Sequence, residues 1–254
     1  LKNSFKSGAG SGDEVKNGCV YGTRNAPRDG FLILNKPSGM PSFKALSIVK
    51  KRLGLQKVGF LGTLDPNADG VLVLLIGKAT KLANELHKSG RKIYVSRFQF
   101  GVETDTLDPL GKVIKTCDKI PTREEIEKVL PTLIGDIEIE VPKFSAVHVN
   151  GERAYDLARK GIEFEAPKKM ITVYNFRILR GGDAGGDDPQ AEEQFEVTCS
   201  SGTYIRSLAK LLAEKLGTLA IAKTITRVRV GEFDIKDAKD LQSVSVSDII
   251  SYVV

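Results

Sequence analysis

Cysteine and histidine are scarce in this chain. Its three cysteines, Cys19, Cys117 and Cys199, stand far apart without a CxxC pair, which excludes a disulfide framework and a zinc-ligand spacing. Two histidines, His87 and His148, are too few for a histidine-rich metal site. No metal and no organic cofactor is expected. The longest apolar run, residues 71–76, is strand-sized and far from the roughly 18 residues of a membrane span. No glycine fingerprint follows a strand and opens a helix, so dinucleotide and phosphate-loop chemistries drop out. The cysteine usage makes a reducing, cytoplasmic setting the default expectation. The chain begins at Leu1 rather than Met, which leaves an organellar setting open.

Charge of one sign is in excess. Lys and Arg number 38 against 32 Asp and Glu, for a net charge of +6 and a pI near 9.1. That balance suits a polyanionic partner. With 254 residues, 41% of them hydrophobic, the chain has material for a buried core. Residues 1–29 are rich in Gly, Ser, Asn and Lys without an apolar period, and read as a flexible extension. A single folded domain is expected over residues 30–254.

Hydrophobic periodicity then assigns elements. The apolar run of residues 31–34 predicts a strand entering a loop at Asn35-Lys36-Pro37. Ser42 is placed to cap a helix with its stripe on Ala45, Leu46, Val49 and Leu53, ended by Gly54. Residues 71–76 read as a buried strand, 78–88 as a short helix and 92–100 as a strand. Thr122 and Glu125 have the spacing of a capping box before a helix. Strands are expected at 137–141 and at 147–149, the latter reaching a tight turn at Asn150-Gly151. A helix at 152–160 follows, stopped by Gly161. Strands at 170–179 and 194–199 flank an acidic, glycine-rich loop at 181–193. A helix at 203–216 and a strand region at 221–233 complete the list. Without regular βαβ alternation, the class is α+β with a mixed, largely antiparallel sheet flanked by helices and loops.

Three segments carry chemistry. In Gly62-Thr63-Leu64-Asp65-Pro66 the proline stiffens the loop before it, and Gly59, Gly62 and Gly70 permit close backbone approach. In Gly202-Thr203-Tyr204-Ile205-Arg206 a tyrosine and an arginine sit two apart where a strand hands over to a helix, so both can point into one cleft. Tyr94 lies on a strand beside Arg91 or Lys92, and an aromatic face near cations suits an extruded base. Thr104-Asp105-Thr106-Leu107-Asp108 reads as a hydrogen-bonded turn, too poor in ligands for a calcium loop.

In order and spacing these segments resemble the successive motifs of the TruB family of pseudouridine synthases. So do Lys36-Pro37-Ser38-Gly39, Gly77-Lys78-Ala79-Thr80-Lys81, Lys92-Ile93-Tyr94 and Val141-Pro142-Lys143-Phe144-Ser145-Ala146. The resemblance spans roughly residues 30–235. It implies the pseudouridine synthase fold, a tRNA T-arm substrate and isomerisation of the T-loop uridine (position 55); a monomer is the simpler expectation. Asp65 matches the essential aspartate, acting on the uracil ring, on the sugar C1′ or by way of a glycal. Arg206 matches the arginine that pairs with it, and Asp108 is a candidate for the same charge network. Tyr94 matches the tyrosine that stacks on the base and takes part in proton transfer. Tyr204 and Ile225 match residues packing around the flipped nucleotide. Lys36 matches the lysine of the Lys-Pro motif, read equally as a substrate contact or as structural support. Residues 142–161, with Lys143, Arg153 and Arg159, resemble a thumb-like insertion that pins the T loop. Phe60 stands where the family usually has histidine, which points to altered RNA affinity more than altered chemistry. An RNA-binding protein of the same fold with little catalysis is the alternative. The residues beyond 245 are too few for the C-terminal PUA domain of many members.

Overall fold

A computed structural model describes residues 29–179 and 191–252. The expected N-terminal extension and most of the acidic loop lie outside the described residues. In chain order the elements are β1 (Gly30–Lys36), α1 (Ser42–Arg52), β2 (Val58–Phe60), β3 (Asp69–Ile76), α2 (Ala83–Ser89), β4 (Lys92–Phe100), β5 (Val102–Thr104) and β6 (Val113–Thr116). There follow α3 (Arg123–Val129), β7 (Gly135–Glu140), β8 (His148–Val149), β9 (Glu152–Arg153), α4 (Ala154–Arg159) and β10 (Lys168–Ile178). The last are β11 (Glu192–Cys199), α5 (Ile205–Leu216), β12 (Ala220–Val230), β13 (Phe233–Asp234), β14 (Lys239–Asp240) and β15 (Ile250–Ser251).

Among the described residues the main sheet has 11 strands, ordered β14-β1-β3-β12-β4-β11-β10-β7, with β13, β15 and β2 attached to β12, β1 and β3. Only β1–β14 and β3–β12 pair in parallel. The mixed, largely antiparallel α+β reading therefore holds. Sheet faces explain the strand sequences. β4 alternates, with Lys92, Tyr94, Ser96, Phe98 and Phe100 turned to the buried side, as the two-residue period requires. β3 instead is apolar without a break from Val71 to Ile76, because both its faces are covered. Leu72, Leu74 and Ile76 belong to the core that also takes in residues of α1, α3 and α5, while Val71, Val73 and Leu75 belong to a second one with residues of the short 3₁₀ segment Gly77–Leu82, of α2 and of the C-terminal segment.

Several expectations shift. The capping box forms, with Glu125 N donating to Thr122 Oγ1 at 3.2 Å and Thr122 N to Glu125 Oε2 at 2.8 Å. Ser42 is not a cap; Pro41 holds that position. The Ser42 hydroxyl instead donates to Leu64 O and accepts from Leu64 N, both at 2.9 Å, clamping the loop before Asp65. The helix expected over 152–160 gives its first two residues to the β8–β9 hairpin, whose turn has Asn150 and Gly151 at φ 51° and 89°. That positive-φ pair is a tight hairpin signature, and it draws Glu152 and Arg153 into the second strand. The short β14 and β15 on β1 were not foreseen, because two-residue strands have no period to read.

Candidate active site

The Asp65 loop joins β2 to β3 and is tied down from several sides. Pro66 O accepts from Gly39 N at 2.8 Å, and Ala68 N donates to Asp65 O at 3.1 Å. Lys36, 0% exposed, donates its ammonium to Pro37 O at 2.8 Å, Met40 O at 2.7 Å and Pro66 O at 3.5 Å. Burial pushes its pKa down to about 8, with Asp69 and then Asp65 opposing. Of the two readings of Lys36, contact with substrate is corrected: a fully buried ammonium spent on carbonyls holds the loop. Arg227, also 0% exposed, does the same from β12, donating to Val71 O at 2.9 Å, Thr63 O at 3.2 Å and Gly62 O at 3.1 Å. Gly70 is needed beside it, since a Cβ there would run into Arg227 O.

Asp65 meets Arg206 across this loop. Nε and Nη2 of Arg206 both lie 2.8 Å from Asp65 Oδ2, and among the described residues no donor meets Oδ1. The arginine side chain is 3% exposed and that of the aspartate 36%. Arg206 gives its other hydrogen bonds to Thr106 O at 2.7 Å and Phe144 O at 3.2 Å. It thus joins the aspartate to the turn before β6 and to the start of the 142–161 segment. Asp108 is buried but occupied locally, accepting from Thr106 Oγ1 at 2.7 Å and Leu110 N at 3.0 Å. It shapes the turn that supplies the Thr106 carbonyl; its carboxylate does not join the Asp65–Arg206 pair.

A cavity of about 260 Å³ opens over Asp65, lined by Tyr94, Tyr204, Ile225, His87, Lys92 and Lys169 among others. Tyr94 and Lys92 face it as inward positions of β4, and Tyr204 ends the loop into α5. Burial pushes the Tyr94 phenol up to about 12. Burial, then the Asp65 charge, raises that of Tyr204. Burial pushes Lys92 down to about 8, helped by Arg227. His87 is lowered by burial, then by Lys92 and Lys169. Phe60 is half-buried against the main core and does not line the cavity. Lys143, Arg153 and Arg159 are exposed on the 142–161 segment, with the Arg159 guanidinium 5.5 Å from the centre of the Tyr155 ring.

A larger groove of about 590 Å³ lies on the far side of residues 141–144. Its lining carries Glu103, Asp105, Glu138, Glu140, Glu163 and Glu214 against Lys143, Lys168 and Lys210, a net acidic balance that disfavours a polyanion. The smaller cavity is therefore the candidate site. Of the residues expected at the site, the structure brings Asp65, Arg206, Tyr94, Tyr204 and Ile225 together in space. Sequence reasoning missed Arg227, His87 and Lys169. The one available signal was an arginine in register with inward-facing Ile225 on a strand.

Comparisons with known proteins bear on this geometry. The TruB family pseudouridylate synthase N-terminal domain matches residues 50–205. The chain is 42% identical over 223 residues to a tRNA pseudouridine synthase B of Borreliella burgdorferi, covering 88% of this chain and 77% of that protein. It is 41% identical over 218 residues to the tRNA pseudouridine synthase B of Geobacillus thermodenitrificans, covering 85% and 72%. Among solved structures, a chain of a Cbf5-Nop10-Gar1 complex superposes with TM-score 0.64 at 26% identity, over 85% of this chain. A chain of an H/ACA RNP bound to a substrate RNA containing 2′-deoxyuridine gives TM-score 0.60 at 25% identity, over 84%. This protein spans about half the length of those two chains, 53% and 51%. By sequence match and by fold, the chain belongs to the TruB family of pseudouridylate synthases.

Proposed function

We propose that this protein is a tRNA pseudouridine synthase acting on the T-loop uridine at position 55. The observation that carries the reading is the carboxylate of Asp65, held through one oxygen by Arg206 and lining a cavity walled by Tyr94, Tyr204 and Ile225. The names of the curated relatives support the substrate, as does the substrate RNA in the H/ACA particle. The setting we infer is cytoplasmic, with the protein working as a monomer.

The reaction conserves atoms. The C1′–N1 bond of uridine breaks, the ring turns, and a C1′–C5 bond forms. C5 loses its proton and N1 gains one, so the net change needs no oxidant and no co-substrate. Asp65 Oδ1 is the lone pair placed to act, on the ring, on C1′ or in a glycal route. Arg206 fixes the direction of that oxygen by binding its twin in a fork, which lysine could not reproduce. The base must leave its stack to reach the cavity, at a cost of a few kcal/mol. Tyr94 and Ile225 supply faces that offset it. Tyr94 enters the reaction protonated, its phenol lying at about 12. The exposed cations Lys143, Arg153 and Arg159 are suited to the T-arm backbone.

The test is pseudouridine formation on an unmodified tRNA transcript, mapped to the nucleotide, with Asp65→Asn alongside. We expect T-loop conversion by the parent and a loss of at least about a thousandfold in kcat with the variant. Binding of the RNA should stay within about threefold, since the base contacts remain. Tight binding without conversion by the parent would replace the enzyme reading by that of an RNA-binding protein.

A further inference from the structure

One wall of the same cavity is cationic, and among the described residues no carboxylate pairs with it. Lys92 of β4, Lys169 of β10 and His87 of α2 line it. The lysines enter over two glycines. A Cβ on Gly62 would lie 3.0 Å from Lys92 Nζ and 3.7 Å from His87 Cδ2, and one on Gly202 would strike Lys169 Nζ. Gly62 and Gly202 have φ of 69° and 83°, so a larger residue is doubly disfavoured at both. Among the described residues neither ammonium meets a carboxylate. The carboxylate of the cavity, Asp65, is held by Arg206. The charge nearest in influence to Lys92 is a further cation, Arg227. The ring of His87 lies within 3.0 Å of the Ser201 hydroxyl, which adds a neutral donor to the same wall. Cations gathered in this way raise each other's energy until an anion arrives.

We propose that Lys92, Lys169 and His87 form a phosphodiester subsite, which holds a backbone phosphate next to the nucleotide whose base enters beside Asp65. The subsite rests on the RNA reading above. A nucleotide with its base against Tyr94 and Ile225 has its own backbone within the same cavity of about 260 Å³. A full anionic charge compensates the two ammoniums, whereas the carbonyl oxygens of a uracil would leave them largely unneutralised.

The test uses T-arm stem-loop RNAs in which one phosphodiester, 5′ or 3′ of the target uridine, is replaced by a neutral methylphosphonate. Binding and conversion are measured for the parent, Lys169→Ala and Lys92→Gln. Lys169 is exposed on its strand, so its variant keeps the fold, and Lys92→Gln probes the buried position. One of the two replacements should weaken parent binding about tenfold and Lys169→Ala less than about twofold. On unmodified RNA, Lys169→Ala should lower the slope of log affinity against log salt by about one. Losses that multiply in the double combination, or a parent indifferent to both replacements, would overturn the subsite and assign the wall to the base. A parent that neither binds nor converts the RNA would overturn the RNA reading and the subsite with it; conversion by the parent separates the two failures.

Discussion

The Asp65 loop and the 142–161 segment both meet the Arg206 guanidinium yet are held by opposite means. The loop is gripped from beneath by fully buried cations whose charges end on backbone carbonyls, Arg227 on three and Lys36 on three more, with Ser42 closing it from α1. The 142–161 segment is a two-residue-per-strand hairpin and a six-residue helix. Its cations face water, and its Lys160–Glu152 pair is exposed at both ends, a kind of contact worth little. Buried Ala154 and Leu157 and the Arg206 bond to Phe144 O tie it to the body. The difference teaches where precision is placed. A reacting carboxylate needs a fixed oxygen, while a surface that grips a phosphate backbone needs charge and tolerates movement.

The comparison is broken most severely at Arg227. Arg227→Met removes the donor from three carbonyls, one buried and two partly buried, partly offset by relief from desolvating a cation, for a loss of about 2–4 kcal/mol. In a domain of this size we expect the Tm to fall by roughly 6–12 °C, with conversion falling alongside; calorimetry on the two proteins checks it. A drop under about 2 °C would mean the loop stands without that grip.

The opposite result is expected for Lys143→Ala, Arg153→Ala and Arg159→Ala combined. KM should rise about tenfold or more and the salt slope fall by about two to three, with kcat little changed. The Tm should move by less than about 2 °C, because exposed charges contribute little to stability. A fall in kcat at saturating RNA, with KM unchanged, would place the segment in the chemistry instead.

The smallest effect is expected from Phe60→His. Phe60 lies outside the cavity lining, at the edge of the core. A change there should alter KM by no more than about threefold and leave kcat alone. A larger gain in affinity, read by titration with T-arm RNA, would show that this position meets the RNA after all.

Much of the fold was legible because local physics wrote it into the chain. The alternation over Lys92–Phe100 gave β4 its buried face, the Thr122–Glu125 pair closed its capping box, and Asn150-Gly151 made its turn. Spacing alone could not say that Asp65 and Arg206, 141 residues apart, would meet at 2.8 Å. The ordered motifs carried that expectation. Ser42 looked like a helix cap because a serine before an apolar stripe has that signature; a hydroxyl bonding to Leu64, 22 residues on, leaves none.

By itself, then, the sequence determined the longer strands, the principal helices, the stiff Asp-Pro loop and the family to which the chain belongs. Each follows from propensity, two- or 3.6-residue periodicity or ordered motifs. Tertiary structure alone decided that Lys36 and Arg227 grip backbone rather than substrate, and that His87, Lys92 and Lys169 share a wall. A side chain bonding a distant carbonyl, or a histidine and two lysines converging from α2, β4 and β10, follows no period along the chain. Only the sheet order, which sets β12 between β3 and β4, brings Arg227 beneath the loop that holds Asp65.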